Sequence, residues 1–151
     1  MDITERFLNY TKFDTQSAED SDCVPSTSKQ LVFADYLKKE LENEGLSDVE
    51  MDDKGYIYAT LKANFKGKTP TIGFISHYDT SPDCSGADIK PQIVSKYDGS
   101  DIQLSEGIVS SPKKFLLLRS ATNTALAILF SAEEAISRKL FISAGGILSI
   151  Q

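Results

Sequence analysis

Two side chains just after an apolar run have the types and the spacing that metal chemistry needs. His77 and Asp79 follow residues 71–76, and His77 is the only histidine of the 151 residues. Because residues i and i+2 of an extended segment point to the same side, the imidazole and the carboxylate are expected to converge. A neutral imidazole is the commonest protein ligand for metals, and a carboxylate on its other ring nitrogen fixes its orientation. The pattern predicts a metal ligand with its supporting carboxylate, or two ligands.

The competing interpretation is that His77 is a hydrogen-bonded structural residue. A zinc site needs three or four protein ligands, and the chain has no second histidine to offer. Carboxylates would have to fill the other positions, and the sequence does not indicate which. A one-metal hydrolase completed by carboxylates of a second copy of the chain is a further, weaker possibility.

Three other groups are weaker candidates. Glu133-Glu134 has the form of a base-plus-ligand pair, but its Ser/Ala-rich surroundings favour a solvated helix face. Cys84 lies close to His77 in sequence, and a bystander thiol is the preferred interpretation over a metal ligand or nucleophile. Gly145-Gly146 lacks the glycine spacing of a phosphate-binding loop.

Overall composition excludes several classes of protein. Asp and Glu total 22 against 16 Lys and Arg, which argues against nucleic acid or an anionic membrane as a partner. Two cysteines exclude a disulfide scaffold. The acidic start of the chain does not resemble a secretion signal, and no apolar stretch is long enough for a membrane span. We therefore expect a cytoplasmic protein.

The elements that must position His77 and Asp79 follow from periodicity. Residues 2–13 are predicted to form a helix capped by Asp2. A second helix is predicted after residues 25–28 and is expected to end at Gly45. Its apolar face is predicted from the spacing of four residues, namely Leu31, Ala34, Leu37 and Leu41.

The remaining patterns predict strands and an α/β fold. Residues 49–52 and 56–61 form a predicted hairpin around the turn at residues 53–55. The run at residues 71–76 is typical of a strand buried on both faces, and residues 91–94 and 101–104 are further candidates. Ligands of open α/β sheets bind at the carboxyl ends of strands, which is where His77 and Asp79 are expected.

A change of composition near residue 114 divides the chain. Residues 115–151 contain no Asp, Pro or Tyr and hold only two of the 22 acids. By count, 21 of these 37 residues are hydrophobic. A segment this short rarely folds alone. The chain is therefore predicted to consist of residues 1–114, with an ordinary composition, and an atypical segment at 115–151.

Residues 1–114 resemble the N-terminal part of the peptidase T family of bacterial tripeptide aminopeptidases. The resemblance is carried by five blocks in order: 5–10 (ERFLNY), 14–17 (DTQS), 24–27 (VPST), 73–86 (GFISHYDTSPDCSG) and 91–94 (PQIV). It implies a cytoplasmic di-zinc peptidase that acts on small peptides, releasing the N-terminal residue of tripeptides. By position in the longest block, His77 is similar to a zinc-ligating histidine of the family and Asp79 to the active-site aspartate that orients it.

The later motifs of the family, a Gly-Ala-Asp-Asp segment, a Glu-Glu pair in its family pattern and a distant histidine, do not occur in this chain. The resemblance therefore implies a partial zinc-aminopeptidase-like catalytic domain, with helices on a mixed sheet, incomplete on its C-terminal side. We expect a truncated chain, inactive alone, in which residues 115–151 come from a different reading frame or from a foreign continuation. The alternative is a non-catalytic interaction module, in which Leu126, Leu129 and Phe130 form a docking helix.

Overall fold

The computed structural model describes residues 1–114 and the backbone of a strand at Leu126–Ser131. The helices are α1 (Ile3–Tyr10) and α2 (Lys29–Asn43). The strands are β1 (Ser47–Met51), β2 (Ile57–Thr60), β3 (Lys90–Ser95), β4 (Ile102–Ser105), β5 (Ile108–Ser110) and β6 (Leu126–Ser131). In the part that the structure describes, three two-stranded sheets are present, all antiparallel: β1 with β2, β3 with β6 and β4 with β5. The predicted mixed α/β character is confirmed.

The chain divides into two compact units. The first contains Met1–Lys12 and the described residues from Asp88 onward, and the second is Phe13–Ala87. In the first unit, Tyr97 and Ile102 are buried, and the Tyr97 hydroxyl donates to the carbonyl of Ser100 at 2.6 Å. In the second unit, Phe33 and Ala34 of α2 form the buried centre.

Both predicted helices are present, and local sequence explains their ends. Asp2 caps α1 as predicted: its Oδ1 accepts from the Glu5 amide at 2.8 Å, and the Glu5 carboxylate accepts from the Asp2 amide. This reciprocal capping box satisfies two amides that the helix leaves unpaired. Helix α2 stops just before Gly45, whose φ of +81° is the left-handed conformation that ends helices.

The β1–β2 hairpin is also confirmed. The amide of Gly55 donates to the carbonyl of Asp52 at 3.1 Å, and Gly55 has a φ of +85°. The Asp52 carboxylate accepts from the Tyr56 amide at 2.8 Å, which closes the turn. The strands predicted at residues 91–94 and 101–104 correspond to β3 and β4. Strand β5 was not predicted.

The strand predicted at residues 71–76 is wrong. This segment has neither helix nor strand structure, and Ile75 is 101% exposed, with Ile72 at 72% and Phe74 at 71%. A strand buried on both faces needs a neighbour on each edge and a covering layer on each face. Among the described residues no strand pairs with it, so its apolar side chains lie in solvent.

The docking helix that the alternative interpretation predicts for Leu126, Leu129 and Phe130 is also wrong. The backbone of β6 pairs with β3 in antiparallel register from Lys90 opposite Ser131 to Ser95 opposite Leu126. Pairing with a strand distant in sequence thus decides the conformation of Leu126–Ser131, rather than the composition of the segment itself. Glu133-Glu134 and Gly145-Gly146 lie outside the described residues.

Candidate functional site

The candidate site is a histidine–aspartate pair in the second unit. The His77 Nδ1 lies 2.9 Å from the Asp79 Oδ1 and 3.0 Å from the Asp79 carbonyl oxygen. Both oxygens are acceptors, so Nδ1 must carry the proton. In the neutral ring the lone pair then belongs to Nε2, the nitrogen that is left to bind a metal. The side chains are 76% and 44% exposed, so the pair lies at the surface of the unit.

The backbone just after the pair is held by a parallel bridge between Thr80 and Gln16. The Ser17 amide donates to the Thr80 carbonyl at 2.9 Å, and the Thr80 amide donates to the Thr15 carbonyl at 3.0 Å. The Gln16 side-chain amide adds a bond to the carbonyl of Pro82 at 3.0 Å. These bonds fix the chain direction one residue beyond Asp79.

The segment that makes this bridge is itself anchored to the start of α2. The Lys29 ammonium lies 2.8 Å from the Asp14 carboxylate and 3.2 Å from the Gln16 side-chain oxygen. The Thr27 hydroxyl donates to the Gln16 carbonyl at 2.7 Å. Gly86 packs against the same carboxylate, where a Cβ would lie 2.7 Å from the Asp14 Oδ1. The lack of a side chain at Gly86 therefore allows the close approach.

Tyr78 anchors the pair from the other side. Its ring packs edge-on against Phe33 with centroids 5.8 Å apart, and its hydroxyl donates to the Gly55 carbonyl at 3.0 Å. Tyr78 lies between His77 and Asp79 in the chain, so these contacts tie the site to the hairpin turn. Burial, helped by the negative charges of Asp79 and Asp52, raises the pKa of the Tyr78 phenol.

The raised pKa of Tyr78 predicts a loss of stability in alkali. The folded chain holds the phenol proton more tightly than the unfolded chain, so this contribution is complete below the unfolded value near 10. It is lost as the pH rises through the folded pKa. We expect the free energy of unfolding in urea to fall above about pH 10, and Tyr78→Phe to flatten part of that fall. The pKa of Tyr97 is also raised, so some decline remains in the variant. An unchanged pH dependence in Tyr78→Phe would contradict this account.

Sequence reasoning singled out the site residues but missed the residues that support them. Thr15, Gln16, Gly55 and Tyr78 hold the pair, and none was singled out for this role. A signal existed for three of them, since Thr15, Gln16 and Tyr78 lie in two of the blocks that carry the family resemblance, 14–17 and 73–86. Cys84 is partly exposed and has a free thiol. The described residues contain no group of three His, Cys, Asp or Glu side chains that could hold a metal ion.

Comparison with known proteins supports the resemblance. No family model matches the chain. The curated proteins named Peptidase T from Clostridium botulinum strain Hall and strain 657 are 58% and 57% identical over 105 residues. Peptidase T of Caldanaerobacter subterraneus subsp. tengcongensis is 52% identical over 120 residues. The homology to peptidase T is confirmed.

The peptidase T match is partial on both sides. The match with the strain Hall protein covers 70% of this chain and 26% of that protein. The match with the Caldanaerobacter protein covers 78% of this chain and 29% of that protein. The chain thus spans between a quarter and a third of these relatives, consistent with an N-terminal portion. A stretch of 105 residues in a chain of 151 must include residues 47–105, and therefore His77 and Asp79. In the described part of the chain, no helix is long and apolar enough to cross a bilayer.

Proposed function

We propose that residues 1–114 are the N-terminal part of the catalytic domain of a cytoplasmic tripeptide aminopeptidase, which releases the N-terminal residue of tripeptides. The observation that carries the proposal is the 2.9 Å bond between His77 Nδ1 and the Asp79 carboxylate, inside the peptidase T match. A carboxylate that accepts from Nδ1 is the arrangement that orients a metal-binding histidine.

The His77–Asp79 pair suits one ligand position of a zinc site. His77 would bind zinc through Nε2, and Asp79 would hold the ring in the required tautomer and orientation. Zinc bound there would activate a peptide carbonyl and water as a Lewis acid. The His77 side chain is 76% exposed, which suits an ion shared with groups from outside the described residues. We infer a two-zinc centre in the complete domain, with His77 as one ligand.

The 151-residue chain by itself is proposed to be inactive. One histidine and one aspartate cannot complete a bridged two-metal centre, and the described residues supply no third ligand nearby. We also retain the division at residue 114 as a proposal, with residues 115–151 as a segment foreign to the domain. Sequencing the gene from codon 105 onward tests this, because a frameshift requires the family motifs to appear in another frame.

A chimera tests the function directly. Residues 1–114 would replace the corresponding segment of the Clostridium botulinum strain Hall peptidase T, with the unmodified relative as control. We expect the chimera to hydrolyse tripeptides, to lose that activity with a chelator and to regain it with Zn²⁺, while the 151-residue chain alone gives only background. Tripeptide turnover by the chain alone would contradict the proposed inactivity. A folded but inactive chimera would contradict the proposed function and favour the non-catalytic module.

A further inference from the structure

We propose that the side chain of Gln16 is a positioning residue for the His77–Asp79 pair. Its amide connects the ammonium of Lys29 to residues 80–82, which follow the pair in the chain, and holds them in the orientation that the pair requires. The consequence for metal binding rests on the proposed function, whereas the consequence for the tautomer of His77 rests on the geometry alone.

The Gln16 amide has a different kind of partner at each end. Its Oε1 accepts from the Lys29 ammonium at 3.2 Å, and its Nε2 donates to the Pro82 carbonyl at 3.0 Å. An ammonium can only donate and a carbonyl can only accept, so a single orientation of the amide satisfies both partners. A glutamate side chain could still accept from Lys29, but it would place an oxygen against the Pro82 carbonyl. The link therefore depends on the amide itself as well as on the length of the side chain.

The Lys29 end of this link is fixed by charge. The Lys29 ammonium lies 2.8 Å from the Asp14 Oδ2, and the Asp14 Oδ1 accepts from the backbone amide of Gln16 at 3.1 Å. Hydrogen bonds that involve an ionised group are stronger than neutral ones. The same ion pair thus holds both the backbone and the side chain of Gln16, and the amide reaches Pro82 from a fixed point.

Residues 80–82 transmit this restraint to the pair through one peptide group. The Asp79 carbonyl accepts from His77 Nδ1. It belongs to the same rigid, planar peptide as the Thr80 amide, which donates to the Thr15 carbonyl. Rotation of that peptide would weaken both bonds at once. The backbone bridge holds the chain at residue 80 and the Gln16 side chain holds it two residues further on, so the peptide keeps its orientation toward the ring.

The tautomer of His77 tests this role without any metal. At a pH where the ring is neutral, the ¹⁵N signals of the 151-residue chain give the ratio of rings protonated on Nε2 to rings protonated on Nδ1. We expect Gln16→Glu to raise that ratio about threefold to tenfold, because a weakened charge-assisted bond to Asp79 no longer holds the proton on Nδ1. A role in folding alone would leave the ratio unchanged in a folded chain, and urea unfolding verifies that the variant is folded.

Gln92→Glu is the matched control. The Gln92 Nε2 donates to the Leu104 carbonyl at 2.8 Å in the first unit, so this variant makes the same chemical change outside residues 80–82. Its ratio should equal that of the wild type. Gln16→Met removes both bonds of the amide without adding a charge. It should shift the ratio in the same direction as Gln16→Glu, and it decides the question if Gln16→Glu does not fold.

Three results would overturn the proposal. The first is an unchanged ratio in the Gln16 variants, and the second is an equal change in Gln92→Glu. The third is a shift in Gln16→Glu that a folded Gln16→Met lacks, since the added charge rather than the lost bond would then act on the ring.

The chimera separates this inference from the proposed function. Gln16→Glu is expected to let a chelator abolish its tripeptide turnover at about tenfold lower concentration, the smaller end of the usual effect of partners behind a metal ligand. A shifted ratio together with an inactive unmodified chimera would leave the positioning role intact and count against the proposed function. An active chimera together with an unshifted ratio would overturn the positioning role and leave the proposed function standing.

Discussion

Asparagine in place of Asp79 is expected to lower tripeptide turnover by the chimera about 10- to 100-fold, the usual cost of removing a carboxylate behind a metal-binding histidine. The amide oxygen can still accept from His77 Nδ1, so the geometry largely survives. The negative charge that makes Nε2 more basic is lost. His77→Ala removes the ligand itself and should reduce turnover to background.

Cys84→Ser is the matched control for these variants. It lies in the same loop and within the same block of family resemblance, and Cys84 is interpreted as a bystander thiol. Its turnover should equal that of the unmodified chimera. If Cys84→Ser were as damaging as Asp79→Asn, disturbance of the loop rather than loss of the carboxylate would explain both results.

A second readout separates orientation from folding. Because the 151-residue chain has one histidine, its ring nitrogens give one assignable set of ¹⁵N signals. At a pH where the ring is neutral, the signals should report a proton on Nδ1, since Asp79 accepts from that atom through two oxygens. Asp79→Ala should weaken this preference, because the carboxylate is removed and only the backbone carbonyl of residue 79 remains as an acceptor. A proton on Nε2 in the unmodified chain would contradict the proposed metal-binding atom.

Gly55→Ala is expected to destabilise the chain by about 2–4 kcal/mol, the combined cost of a left-handed non-glycine residue and of overpacking. The added Cβ would lie 2.7 Å from the Tyr78 hydroxyl oxygen and 3.0 Å from the Leu31 Cδ2. The Tyr78 ring cannot yield easily, since it packs against Phe33 and its hydroxyl is bonded to Gly55 itself. Urea unfolding measures the loss.

Gly45→Ala is the control for the backbone part of this cost. Gly45 has nearly the same φ, +81° against +85°, but nothing lies within 4 Å of its added Cβ. The Gly45→Ala variant should lose only about 1–2 kcal/mol of its free energy of unfolding. In a Tyr78→Ala background the difference between the two alanine variants should shrink, because the hydroxyl contact is gone and the contact with Leu31 at 3.0 Å remains. Equal losses in the wild-type background would show that the contact with Tyr78 carries no energy.

Comparison of sequence and structure separates local from non-local determinants. The Asp2–Glu5 capping box, the stop at Gly45 and the turn at Gly55 depend on residues within four positions of each other, and all were predictable. The amphipathic spacing of α2 located the helix, but the buried centre lies at Phe33 and Ala34 rather than along all four predicted residues. Packing against an aromatic neighbour, Phe13 at 5.0 Å from Phe33, decides that centre.

The sequence by itself determined the types and spacing of His77 and Asp79, the two helices, the hairpin and the homology to peptidase T. Only the tertiary structure decided how the pair is held. Gln16 bonds to Pro82 across 66 positions of chain and Tyr78 bonds to Gly55 across 23, and periodicity cannot join residues so far apart. The tertiary structure also decided that residues 71–76 are exposed and form no strand. An apolar run specifies that a segment should be buried, whereas burial itself needs neighbouring strands, which the described residues do not provide.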